Sequence, residues 1–308
     1  MIRDIMLDLA YDYATCIRNS ERVAWKLDDV FPPDTKLDFG RRFLPPALSG
    51  ERQIPGLDAE ARLKLNQITG NAYLNLFGFV EEYIIATAVD HAQAEMYGDH
   101  TAIRALLRFA EEEIKHQELF KRYVAAFAAS FGSECGVLDG AAEVAAVILG
   151  KSPISVMLVT LHLEIMTQAH YTESVRKDEG LDPFFASLLE HHWLEEAQHA
   201  RIDALELDKL LDLAAPEQID AAFADYLDLI DAFDGLLRSQ AEMDRISLER
   251  ALGYSLPDDG RAVVAAQHTA YRNTFLVMGM TNRQFASILQ KISPAGAERV
   301  ADKAASLG

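Results

Sequence analysis

The chain carries Glu-x-x-His twice, at Glu113-Ile-Lys-His116 and at Glu196-Ala-Gln-His199. Each copy has another glutamate upstream, Glu82 and Glu164, at separations of 31 and 32 residues. Residues three apart share a helix face, so each pattern offers a carboxylate and an imidazole side by side. A single copy means little, because Glu, His and helices are all common. Two copies, each matched to an upstream glutamate, make up the donor set of a dinuclear metal site between four helices. Carboxylate oxygen and neutral imidazole nitrogen suit iron, with manganese the alternative, since both accept open, mixed coordination. Two irons bridged by carboxylates can pool the electrons needed to cleave an O–O bond.

The neighbours of these residues point the same way. Glu and His on a helix are ordinarily surface groups. Here Glu113 lies in line with Leu106, Ala110 and Phe120, and Glu164 is framed by Leu161, Leu163, Ile165 and Met166. Carboxylates on apolar faces need a counter-charge. Lys and Arg are absent from the matching positions, which leaves a metal. His192 is a seventh candidate ligand, about 40° from Glu196 on the helical wheel and on the side of His199; the plainer role is a core histidine. His191, about 140° away, should point elsewhere. Glu81 is the runner-up to Glu82, and Asp203, four residues after His199, could accept a hydrogen bond from a ligand histidine or simply be exposed.

Helices must position these groups. Ala, Leu, Glu and Asp dominate and alternating β-branched runs are scarce, so the expected class is all-α. Residues 1–30 read as a helix containing Tyr11, Tyr13 and Trp25. The pairs Pro32-Pro33 and Pro45-Pro46 then require an extended stretch. Helices are expected from Asp58 to about Tyr97, from about Thr101 to Phe131, from Ser152-Pro153 to before Gly180, and from Asp182-Pro183 through Leu213. The connection Gly132 to Lys151 holds a short Ala-rich piece. Two hairpins joined by a longer crossover is the connectivity of ferritin-like four-helix bundles. The turns test it: Glu82 lies 16 residues before Gly98 and Glu113 15 after, while Glu164 and Glu196 each lie 16 from Gly180. All four glutamates then fall at one level. Further helices are expected at 216–249, at 260–290 and after Ser293-Pro294, packed on the core of about 58–213 as a single domain.

With 308 residues, half of them hydrophobic and a quarter charged, the composition is that of a soluble globular protein. The net charge of −19 argues against nucleic acid and anionic membranes as partners. Cys16 and Cys135 are the only cysteines and form no thiolate motif. No secretory signal and no apolar run of membrane-spanning length is apparent, so cytoplasm is the expected location.

The spacing His192-x-x-x-Glu196-x-x-His199, with Glu113-x-x-His116 upstream, resembles the non-haem di-iron N-oxygenases typified by para-aminobenzoate N-oxygenase. The resemblance covers roughly residues 70–205, and Asn75, Ile85 and Ala86 around the first glutamate agree with that family's pattern. It implies a ligand set of Glu82, Glu113, His116, Glu164, His192, Glu196 and His199, one histidine more than the usual bundle site. It also implies two iron ions, O2 and an electron donor as partners, and oxygenation of a small organic substrate, with an amine the best match. Ferritin-like iron handling, a radical-generating subunit and a manganese catalase share most of these ligands and stay open, as does a homodimer.

Overall fold

The computed structural model describes Leu7 and residues 9–308. The helices are α1 (Tyr13–Val23), α2 (Leu27–Val30), α3 (Pro46–Ser49), α4 (Ala59–Ala94), α5 (His100–Ser130) and α6 (Ala141–Leu149). They continue as α7 (Pro153–Glu173), α8 (Pro183–Asp212), α9 (Pro216–Leu252), α10 (Arg261–Tyr271), α11 (Met278–Thr281), α12 (Arg283–Ile292) and α13 (Pro294–Leu307). No β-strand occurs among the described residues.

The four long helices α4, α5, α7 and α8 begin at side chains that satisfy their first free amides. Asp58, Asp99, Ser152 and Asp182 accept from Ala61, Thr101, Ser155 and Phe185. Proline follows the cap in α7 and α8, where its missing N–H costs nothing. α4 packs on α5 and α7 on α8; α5 also meets α8. α4 meets α7 through buried polar contacts, with the Tyr73 hydroxyl 2.6 Å from His170 Nδ1 and Thr160 Oγ1 donating to the Tyr83 hydroxyl at 3.2 Å. The four helices thus close a ring. α1 packs on α5 and α8, and α9 covers α4 and α7.

α4 buries every residue from Leu65 to Leu74. Contrary to the sequence expectation, it contains a stretch apolar enough to cross a membrane by length and composition; 61% of that stretch is buried inside the protein. Its apolarity serves packing between α5, α6 and α9.

Three other expectations need correction. The helix over 1–30 starts outside the described residues, and within them it is only α1 and the short α2. Asp12 caps α1 late, and Ala24 turns extended, leaving Trp25 in the break. The proline-rich stretch is not extended throughout: Pro46 opens α3 as its first helical residue, and a 3-10 turn, Glu51–Gln53, follows. The helix over 260–290 is broken by a π-helical turn at Arg272–Val277 and again at Asn282, which caps α12. His162 and His170 on α7 explain how the π turn is tolerated. Their Nε2 atoms lie 2.9 and 2.7 Å from the carbonyls of Phe275 and Thr274.

Asn66 ties the proline-rich segment to α4. Its side chain accepts from the amides of Phe43 and Leu44 and donates to the Leu44 carbonyl and Ser49 hydroxyl. Because Asn66 is fully buried, Asn66→Ala strands several polar groups. Loss of about 2–3 kcal/mol is expected in urea denaturation; an unchanged midpoint would contradict the role given to this side chain.

Candidate metal centre

Seven acidic and imidazole groups converge inside the ring: Glu81 from α4, Glu113 and His116 from α5, Glu164 from α7, and His192, Glu196 and His199 from α8. None is more than 3% exposed. His192 Nε2 lies 3.1 Å from Glu81 Oε1 and 2.8 Å from Glu196 Oε1. His116 Nδ1 lies 3.2 Å from Glu196 Oε1. On the other side, His199 Nδ1 is 2.7 Å from Glu113 Oε1 and 4.0 Å from Glu164 Oε2. The donors form two overlapping sets, Glu81–His116–His192–Glu196 and Glu113–His116–Glu196–His199, each with ligand atoms within 4.8 Å of one another. Either set could hold a metal ion.

Glu82, the expected first ligand, is not in the cluster. It is exposed and lines a cavity with Asn75 and Phe120, while the adjacent Glu81 faces inward. Equal distance from a turn fixes a residue's height, and neighbours differ there by only about 1.5 Å. They differ in direction by about 100°, which the spacing argument does not see. The two motifs interlock: each histidine faces the glutamate of the opposite motif more closely than its own.

The far edges of two histidines are held by carboxylates that the sequence reading missed. His116 Nε2 is 2.9 Å from Glu195 Oε2, and His199 Nε2 is 3.0 Å from Glu112 Oε2. Ionised carboxylates only accept, so each Nε2 carries a proton and each Nδ1 is the atom left for the interior. Lys115 donates to Glu195 Oε1 at 2.6 Å and lies over the Trp25 ring, which stacks on His116. The Ser20 hydroxyl donates to Glu112 Oε1 and accepts from Arg108. A local signal existed: both motifs read Glu-Glu-x-x-His, and the leading glutamate serves the other motif's histidine. Asp203 has neither expected place. It is buried, its Oδ2 is unpartnered, and burial pushes its carboxyl well above the ordinary range.

The donors fit a cation. Both Glu113 oxygens, Glu81 Oε2, Glu164 Oε2, Glu196 Oε1 and the Nδ1 atoms of His116 and His199 are buried without a hydrogen-bond partner. Several approach one another to 2.7–3.2 Å all the same. Atoms so close yet not aligned for hydrogen bonding have their lone pairs directed at shared points. No Lys or Arg reaches the four inner glutamates within 4 Å among the described residues. Protons stand in when metal is absent. Burial and the Glu81 charge push Glu113 up to about 7, and burial with Glu196 pushes Glu164 well above its usual value. Burial opposes charge on His116, but the Glu195 and Glu196 carboxylates override it and raise it to about 10. Against the same burial, Glu196 and Glu81 raise His192 to about 9.

Comparison of the chain with protein-family models, curated proteins and solved structures finds no match in any of the three.

Two outcomes follow from this geometry. Glu81→Ala should reduce bound metal, measured by elemental analysis after dialysis, by at least about tenfold in affinity, while Glu82→Ala should bind as the parent does. The reverse pattern would restore Glu82 as the ligand. The second outcome concerns pH. Glu113 binds its proton more tightly folded than unfolded, so its contribution is full below about 4.5 and lost as pH rises through about 7. The raised His192 and His116 lose theirs higher, toward about 9 and 10. Metal-free protein should therefore melt lower at about pH 8 than at about pH 6, and the gain in Tm on adding metal should be larger at the higher pH. A gain that shrinks with rising pH would refute this.

Proposed function

We propose that this chain is a ferritin-like di-iron oxygenase that uses O2 to oxygenate a small organic substrate, with an amine nitrogen as the reacting atom. The observation that carries the proposal is the third imidazole, His192, directed with Glu81 and Glu196 at one end of a site that Glu113, His116, Glu164 and His199 complete. The two hairpins, α4–α5 and α7–α8, joined by the long connection through α6, support the ferritin-like reading. Glu81, Glu113, His116, Glu164, His192, Glu196 and His199 would hold two irons, which when bound would supply the electrons that activate O2.

The chain's own part is to orient, to exclude water and to admit substrate. Glu195 and Glu112 lock the imidazole tautomers. Phe109 stacks on His199 at 4.2 Å, and Phe77 and Phe120 stand edge-on to His192 at 5.1 and 5.0 Å. These rings keep the centre dry and limit approach to small molecules. A cavity of about 400 Å³ reaches the outer side of Phe120, which favours turnover of an organic molecule over iron storage. Cys16 and Cys135 are unpaired, which suits a reducing cytoplasm, where an electron donor is at hand.

Anaerobic loading with ferrous iron should give two ions per chain. Incubation with an arylamine or aliphatic amine and a chemical reductant under 18-oxygen gas should place label on nitrogen, read by mass spectrometry. Label on carbon alone keeps the oxygenase and removes the amine; absence of labelled product across both amine classes counts against the proposal. His192→Ala should keep close to two irons yet form little product, and parental turnover would make His192 a bystander.

A further inference from the structure

α4, α7, α9 and the π turn border a second cavity, of about 30 Å³. Leu, Val and Phe residues supply its whole lining, among them Leu76, Val80, Leu163, Leu237, Phe275 and Leu276. Most of them are buried; Val80 and Leu236 are half-buried and mark the side nearest solvent. A buried water needs about 10–15 Å³ and two to four polar partners. This cavity has more room than one water needs and offers none of the partners, so its wall disfavours water. The π turn adds no open acceptor, because His170 and His162 take up the carbonyls of Thr274 and Phe275.

Size and polarity together select the guest: a very small molecule with no hydrogen-bonding group. The position of the cavity says where such a guest goes. The Phe275 ring lies 5.7 Å from that of Phe77 and 5.4 Å from that of Tyr73. Tyr73 and Phe77 in turn line a smaller void, of about 10 Å³, together with His192. The Phe77 ring is 5.1 Å from the imidazole of His192. Tyr73 is held through its hydroxyl at His170, whereas Phe77 can turn aside without breaking a polar contact. We infer that the larger cavity binds one molecule of O2, an apolar diatomic, and passes it by way of Phe77 to the His192 end of the site. Delivery to the metals rests on the oxygenase proposal; uptake of an apolar gas does not.

The test uses metal-free full-length protein under xenon, an apolar atom of comparable size, with methyl NMR as readout. Xenon should bind saturably and shift the methyl signals of Leu163 and Leu237. Leu237→Phe, which fills the cavity, should abolish the binding. Leu236→Phe, at a half-buried lining position, should do the same without threatening the fold. Leu237→Ala enlarges the cavity and should bind xenon more tightly. After anaerobic loading with ferrous iron, both filling variants should take up two ions as the parent does. They should nevertheless react with O2 several-fold more slowly in stopped flow, and the deficit should shrink as O2 is raised. No saturable xenon shift, or shifts that survive both filling variants, would overturn the gas site. Lost xenon binding with an unchanged O2 rate would overturn the delivery route. A failure to incorporate label from 18-oxygen gas leaves the xenon result standing, so the cavity and the oxygenase proposal fail separately.

Discussion

Four glutamate side chains face one another across an apolar interior with no ammonium or guanidinium in reach among the described residues, and the rest of the molecule is organised around that repulsion. An ionised carboxylate removed from water without a partner costs several kcal/mol, so four of them together rival the whole net stability of an ordinary fold. The cluster persists only if cations, or protons in their place, sit among the oxygens. The raised positions of Glu113 and Glu164 and of the three histidines express the same demand.

The N-terminal segment does more than extend the bundle. Ser20 at the end of α1 holds Glu112, and Trp25 in the following break receives Lys115 at both its ring and its carbonyl. Those contacts lie one layer outside the histidines. Through them a segment with no ligand of its own sets which imidazole nitrogen faces inward. On the opposite side, the π turn spends its carbonyls on His162 and His170, which fixes the rotation of α7 and with it the direction of Glu164.

Much of this was legible in the residues, and the gaps have physical causes. Caps such as Ser152 and Asp182, each followed by proline, mark helix starts because the signal is local. The doubled Glu-x-x-His and its upstream glutamates mark a level in the bundle because helical rise is regular. Direction is harder to read: α4 is buried nearly all round over its first half, so no polar face distinguishes Glu81 from Glu82. The contributions of Ser20, Trp25 and Lys115 depend on contacts between segments about 80 to 170 residues apart, which leave no mark in local sequence. The break at 272–277 is of the same kind, being stabilised by side chains from another helix.

The crossed hydrogen bonds Glu112–His199 and Glu195–His116 carry a consequence for how the protein is assembled. Each hairpin carries a histidine whose orientation is governed by a carboxylate from the other hairpin. Neither α4–α5 nor α7–α8 alone presents correctly turned imidazoles, however well it forms its own helices. Glu112 and Glu113 of the first hairpin meet His199 only once the second hairpin has docked. A metal ion bound there would hold only a chain whose two hairpins have met in the register that turns both Nδ1 atoms inward.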